Sequence, residues 1–168
     1  MKTNPLRFLI AASALSLGAA AFCADPVSDP TWTKAADNKI YAQTLANEVM
    51  AANPELLVIG IHATKPGTKD EKMIASNLDR IGKMDDDDDK AGAVDGKTVL
   101  APNLKEPQKF EVLIPMHNTG GDIIGAIGLV FKYQKGDSQV KLLGKATKIR
   151  DGLARKLPSA DDLFKPAE

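Results

Sequence analysis

The stretch Phe110–Tyr133, FEVLIPMHNTGGDIIGAIGLVFKY, decides the fold. Across Lys109–His117, Phe110, Val112, Ile114 and Met116 alternate with Glu111, Leu113, Pro115 and His117. That is the period-two spacing of a strand. Asn118-Thr119-Gly120-Gly121-Asp122 then supplies residues that tolerate the backbone of a tight turn. The run Ile123–Tyr133 is apolar on both sides, as a central strand covered on both faces should be. Gly125 and Gly128 interrupt it, and a glycine inside a strand marks a bulge or a close backbone approach. The stretch therefore predicts a hairpin of two central strands.

Working backward, Lys97–Ala101 reads as a short strand after the turn signal Asp95-Gly96. Lys90–Val94 reads as a short helix or turn, which the acidic residues Asp85–Asp88 could begin, since carboxylates favour a first helical turn. Lys72–Leu78 reads as a strand, with a helix over Asp70–Ile81 as its rival. Leu56–His62, LLVIGIH, has the β-branched content of a buried strand. Trp32–Ala52 carries an apolar stripe at helical spacing, through Ile40, Leu45, Val49 and Met50, and Asn53-Pro54 stops it. Working forward, Val140, Leu143, Ala146, Ile149, Leu153 and Leu157 recur at three- and four-residue steps, so Ser138–Leu157 is a second amphipathic helix. Ser159–Glu168 reads as a frayed tail. The sum is an α+β domain, an antiparallel sheet with helices packed on it.

The first 23 residues have the layout of a secretory signal peptide. Lys2 and Arg7 are basic, Phe8–Phe22 is apolar or small, and cleavage after Ala21 or Cys23 fits the small residues there. Cys23, the sole cysteine, also leaves lipidation open. The expected division is residues 1–23 leader, 24–31 lead-in, 32–157 domain and 158–168 flexible tail. The mature domain is expected to have no internal disulfide and no membrane span, and to work in the periplasm or outside the cell. Basic and acidic residues number 22 each, and loss of Lys2 and Arg7 tips the balance to the acidic side. That balance, with few aromatics, argues against nucleic acid as a partner.

The run Ile74–Lys83 (IASNLDRIGK), the acidic residues after it, the short strand TVLA and the hairpin together resemble the Cache, or PDC-sensor, domains, extracytoplasmic relatives of PAS domains. The pattern rests on Ile114, Pro115, Gly120 or Gly121, Ile124, Gly125 and Gly128, with Ile81-Gly82-Lys83 as a second feature. The resemblance covers about Trp32–Leu157. It implies a PAS-like five-stranded antiparallel sheet with a long N-terminal helix, a short crossover helix and a C-terminal helix. It also implies a small-molecule pocket on one sheet face, roofed by the segment between strands two and three. Family pockets take amino acids, carboxylates or amines, and family members report to membrane-bound signalling proteins. The aromatic and arginine signature of the amino-acid-binding subgroup is absent.

The resemblance places Ser76, Asn77, Arg80 and Lys83 where the pocket roof begins, with His62 at the end of the first strand. A guanidinium suits bidentate recognition of a carboxylate, and an amide adds a donor and an acceptor. The expected function is a sensor-like module that binds a small polar metabolite, with no catalysis and no cofactor. The first rival is a ligand-free interaction module that dimerises through its N-terminal helix. The second is a metal-dependent hydrolase, which requires His62, His117 and Asp85–Asp89 to converge. Two histidines alone fall short of a zinc site. The spacing of the acidic run lacks the pattern of a calcium loop, so the expectation is a solvated run and no metal.

Overall fold

A computed structural model describes residues 29–103 and 105–167. The leader read over residues 1–23, and most of the lead-in, lie outside the described residues. Five strands form one antiparallel sheet: β1 (Leu56–Thr64), β2 (Glu71–Ser76), β3 (Val99–Pro102), β4 (Lys109–His117) and β5 (Ile123–Lys132). Their order across the sheet is β2-β1-β5-β4-β3. The hairpin β4–β5 sits inside the sheet as expected, with Ile114 opposite Ile127 and Phe110 opposite Phe131. Strand wins over helix for β2, because its backbone pairs with β1 from Gly60 opposite Ser76 to Thr64 opposite Glu71.

Three α-helices, α1 (Tyr41–Ala52), α2 (Asp87–Ala93) and α3 (Gln139–Ala154), complete the α+β architecture. On one face of the sheet, here the near face, α1 packs on β1 and β2 and α3 packs on β4. The core lies there: Leu45, Ile59, Ile61, Phe110, Ile114, Ile127, Leu129 and Phe131 are buried in one cluster with Ala146 and Leu157. Helix α2 crosses the other, far face, over β4 and β5. Ser138 caps α3 by accepting from the Lys141 N–H.

Two boundaries of the sequence reading are corrected. The first helix starts at Tyr41, well short of Trp32. Asp29 closes a local turn on Thr31 through both the Thr31 N–H and hydroxyl. Thr33 then exchanges backbone hydrogen bonds with Ile81, and a single 3-10 turn, Ala35–Asp37, follows before the helix begins. The shortened α1 spends its apolar stripe on the chain's own core, with Ala42, Leu45, Ala46 and Val49 buried. The apolar stripe to which the rival reading assigns a dimer contact is thus largely buried within the chain.

The second correction concerns the flexible tail of residues 158–168. Ala160–Phe164 is a 3-10 helix, and Leu157 and Leu163 are fully buried. Asp162 accepts from the Ser159 N–H and hydroxyl and pairs with Lys165. Pro166 bridges to Ile40. A single apolar pair, Leu163 and Phe164, anchors this segment to the core, a signal too short to show periodicity. Among the described residues, no helix is long and apolar enough to cross a membrane.

Candidate functional site

The far face is where polar groups collect. Segment 78–89 and helix α2 stand over the strands and enclose a cavity of about 320 Å³. Val58, Gly60 and His62 of β1, Gly128 and Val130 of β5, and Glu111 and Leu113 of β4 form its floor. Gly60 and Gly128 are paired across β1 and β5. A Cβ on Gly60 would stand 2.9 Å from His62 Nε2, and one on Gly128 3.3 Å from Glu111 Oε1. The missing side chains thus give the imidazole and the carboxylate room to lie over the sheet. Gly125, with φ +149°, brings β5 so close to β1 that a Cβ would meet the His62 carbonyl oxygen at 2.1 Å. At the roof, Gly92 seats α2 on the sheet, since its Cβ would meet that of Ala126 at 3.1 Å.

His62, only 3% exposed, joins floor to roof. Its Nδ1–H donates to Asp85 Oδ1 at 2.7 Å, and its Nε2 lies 3.6 Å from Asp89 Oδ1 on α2. The other Asp85 oxygen, Oδ2, is buried and makes no hydrogen bond among the described residues. Burial pulls His62 toward the neutral form, but the hydrogen bond and charge of Asp85, then the charge of Asp89, outweigh it and hold it above its ordinary value. Burial, with Asp86 and Asp85 nearby, pushes Asp89 up despite the opposing pull of His62. Burial also raises Glu111, reinforced by the charge of Asp89. Asp86 goes the other way: burial opposes it, but the Asp89 N–H and Lys83 hold its carboxyl below the usual range.

The expectation of a solvated acidic run is corrected here. Asp85 and Asp89 are buried while Asp86, Asp87 and Asp88 are exposed. Asp86 is the N-cap of α2 and forms a capping box with Asp89. The helix turns Asp89 inward, and Asp85, before the cap, is held inward by its backbone bond to Glu71 and by His62, which five identical residues in a row do not reveal.

Of the five expected binding residues, His62, Arg80 and Lys83 line the cavity, and Ser76 and Asn77 do not. That is a second correction, with a clear cause. The Ser76 hydroxyl donates to Ile59 O and accepts from the Leu78 N–H. Asn77 accepts from the Ile59 N–H and donates to Leu57 O. Both side chains splice the end of β2 onto β1, where the strand ladder stops. Lys83 pairs with Asp86 at 3.3 Å and reaches Asp89 at 3.8 Å. The half-buried Arg80 guanidinium has no side-chain hydrogen bond or ion pair among the described residues. The same holds for the Glu111 carboxylate. Sequence reasoning missed Glu111, although a lone carboxylate inside an otherwise apolar central strand was a signal. His117, half-exposed beside the β4–β5 bulge, stands outside the His62–Asp85–Asp89 cluster.

A wider, open groove of about 600 Å³ runs between α1 and α3. Two of its rim lysines are matched, Lys145 to Glu55 at 2.9 Å and Lys156 to Glu48 at 2.6 Å, while Lys148 and Arg155 are exposed to solvent. The far-face cavity, smaller but with half-buried charge left open, is the stronger candidate.

No protein-family model matches the chain, and no curated protein matches it. Solved structures of similar shape do exist. A type II free methionine-R-sulfoxide reductase from Thermoplasma acidophilum is 18% identical at a TM-score of 0.49, over 74% of this chain and 92% of that one. The C-terminal domain of the E. coli transcriptional regulator KdgR is 12% identical at 0.47, over 72% and 96%. The GAF domain of a two-component sensor histidine kinase from Bacillus halodurans is 18% identical at 0.46, over 66% and 89%. Likeness this distant says nothing about activity or ligand.

Proposed function

We propose that this chain is an exported, sensor-like module of the PAS-like Cache type that binds a small polar metabolite in the far-face cavity, without catalysis. The observation that carries the reading is the pair of open charges: Arg80 and Glu111 line the same cavity, and neither has a partner among the described residues. A guanidinium left open is suited to a carboxylate, and a carboxylate left open to an ammonium group. A carboxylate, an amino acid or an amine would meet one or both. A few convergent polar groups over an apolar floor are what small-molecule sites use for orientation. The basic-then-apolar leader supports work outside the cytoplasm, and binding would be reported to a membrane-bound signalling partner.

The test is a thermal-shift screen of the chain from Asp25 onward against carboxylates, amino acids and amines. A ligand at a hundred times its Kd adds about 2.7 kcal/mol, a shift of several degrees at this size. The reading expects at least one such hit, lost in Arg80→Ala. Silence across the panel, or a hit that Arg80→Ala leaves intact, would overturn it.

A further inference from the structure

The His62 cluster holds more than a structural ion pair needs. Asp85 already secures the ring through Nδ1, yet Asp89 is brought to the opposite nitrogen. The 3.6 Å between His62 Nε2 and Asp89 Oδ1 is too long for a hydrogen bond. It matches the spacing of two ligands on one ion, since ligand atoms at 2.0–2.2 Å from a tetrahedral zinc stand about 3.4 Å apart. His62, Asp85 and Asp89 each offer a ligand atom within 4.8 Å of the others. A separate observation is the Asp85 Oδ2 atom, buried in a residue 5% exposed and left without a partner. A buried carboxylate oxygen in that state is costly unless a proton or a cation meets it.

We propose that His62, Asp85 and Asp89 form a divalent-cation site for a first-row transition ion such as zinc, set in the wall of the metabolite cavity. His62 Nε2 and Asp89 are the ligands that face the cavity. Asp85 holds the imidazole by its Nδ1–H, as a carboxylate does behind many metal-bound histidines. One imidazole with carboxylates and no thiolate suits zinc or manganese better than copper(I) or an iron–sulfur centre. The remaining positions open to the cavity, where water or a ligand carboxylate would complete the set. Lys83, 3.8 Å from Asp89 Oδ2, competes with the ion from the roof. Glu71 and Glu111 add to the negative potential around it. The ion enters by displacing whatever proton His62 Nε2 carries, so no further reactant is needed.

The experiment is zinc titration of the purified protein, read by metal content after dialysis and by the imidazole NMR signals. With only two histidines in the chain, the His62 signals are assigned by comparison with His117→Gln. The expected result is about one zinc retained per chain, with the His62 signals moving. Asp89→Asn and His62→Gln are expected to weaken binding by about tenfold or more, and Asp87→Asn, on the exposed side of α2, to leave it unchanged. The proposal is overturned if no zinc is retained. It is also overturned if His117 responds in place of His62, or if Asp89→Asn and His62→Gln retain zinc like the parent. Should His62→Gln fail to fold, Asp89→Asn and the parent spectra decide. Arg80→Ala separates this site from the metabolite reading, because it should abolish the metabolite shift and keep the zinc.

Discussion

Gln43 and Asp85 are both buried polar residues, one in the helical layer on the near face and one beneath the roof of the far face. Gln43 uses everything it has. Its amide donates to Ser76 O at 2.8 Å and Asn47 Oδ1 at 3.0 Å, and its oxygen accepts from the Ser76 N–H and from Asn38. Among the described residues, Asp85 leaves one oxygen unpartnered, and Arg80 and Glu111 nearby are open as well. The same sheet thus has one face where large apolar side chains fill space and polar groups are satisfied. Its other face is cut down by glycines, and its charges are not all balanced. A folded chain tolerates that imbalance where something else is meant to complete it. The contrast puts the packed core on one side and the proposed binding site on the other.

The contrast can be broken in order of expected effect. Phe131→Ala on the near face should cost about 3–5 kcal/mol, while Val130→Ala, its neighbour on the far face, should cost about 1 kcal/mol. Denaturant unfolding of the two measures the difference, and equal losses would erase the distinction between the faces. Gly125→Ala should cost about 3 kcal/mol, since it combines a backbone conformation closed to side chains with a collision against the His62 carbonyl. It should also reduce metabolite binding, which near-face substitutions of similar cost should not.

Asp85→Asn probes the floor-to-roof link through pH. His62 is held above its ordinary value in the folded chain. Its charged pairing therefore contributes fully below about pH 6.5 and fades as pH rises through the folded value. The substitution should cost about 1–3 kcal/mol at pH 6 and progressively less at higher pH. A loss that does not change with pH would mean that the charge of His62 is not what links them. The smallest stability effect belongs to Arg80→Ala, within about 0.5 kcal/mol, because no described residue depends on the guanidinium. A large loss there would show that Arg80 is structural and remove the central support for binding.

The sequence made the hairpin legible because β4 and β5 are long, periodic and bounded by turn residues. Their observed ends, Lys109–His117 and Ile123–Lys132, lie within a residue of the expected ones. It misjudged Trp32–Lys39, where a bridge from Thr33 to Ile81 and a lone 3-10 turn at Ala35–Asp37 replace the start of the helix, and the packed segment 158–166, whose anchoring is tertiary. The site was half legible. Arg80, Lys83 and His62, expected from the family resemblance and strand position, do line the cavity. Ser76 and Asn77 have the same polar chemistry, but the end of the β1–β2 ladder claims them. The inward turn of Asp89 depends on the capping box that starts α2 and that of Asp85 on its bonds to Glu71 and His62, and identical neighbours hide both.

The central claim, that the far face is the binding face, is tested most directly by mapping amide chemical shifts while titrating the best metabolite hit. The account predicts perturbations at Gly60, Arg80, Glu111 and Gly128, with α1 and α3 silent. Shifts centred on the α1–α3 groove, around Val49, Ile149 and Gly152, would contradict it.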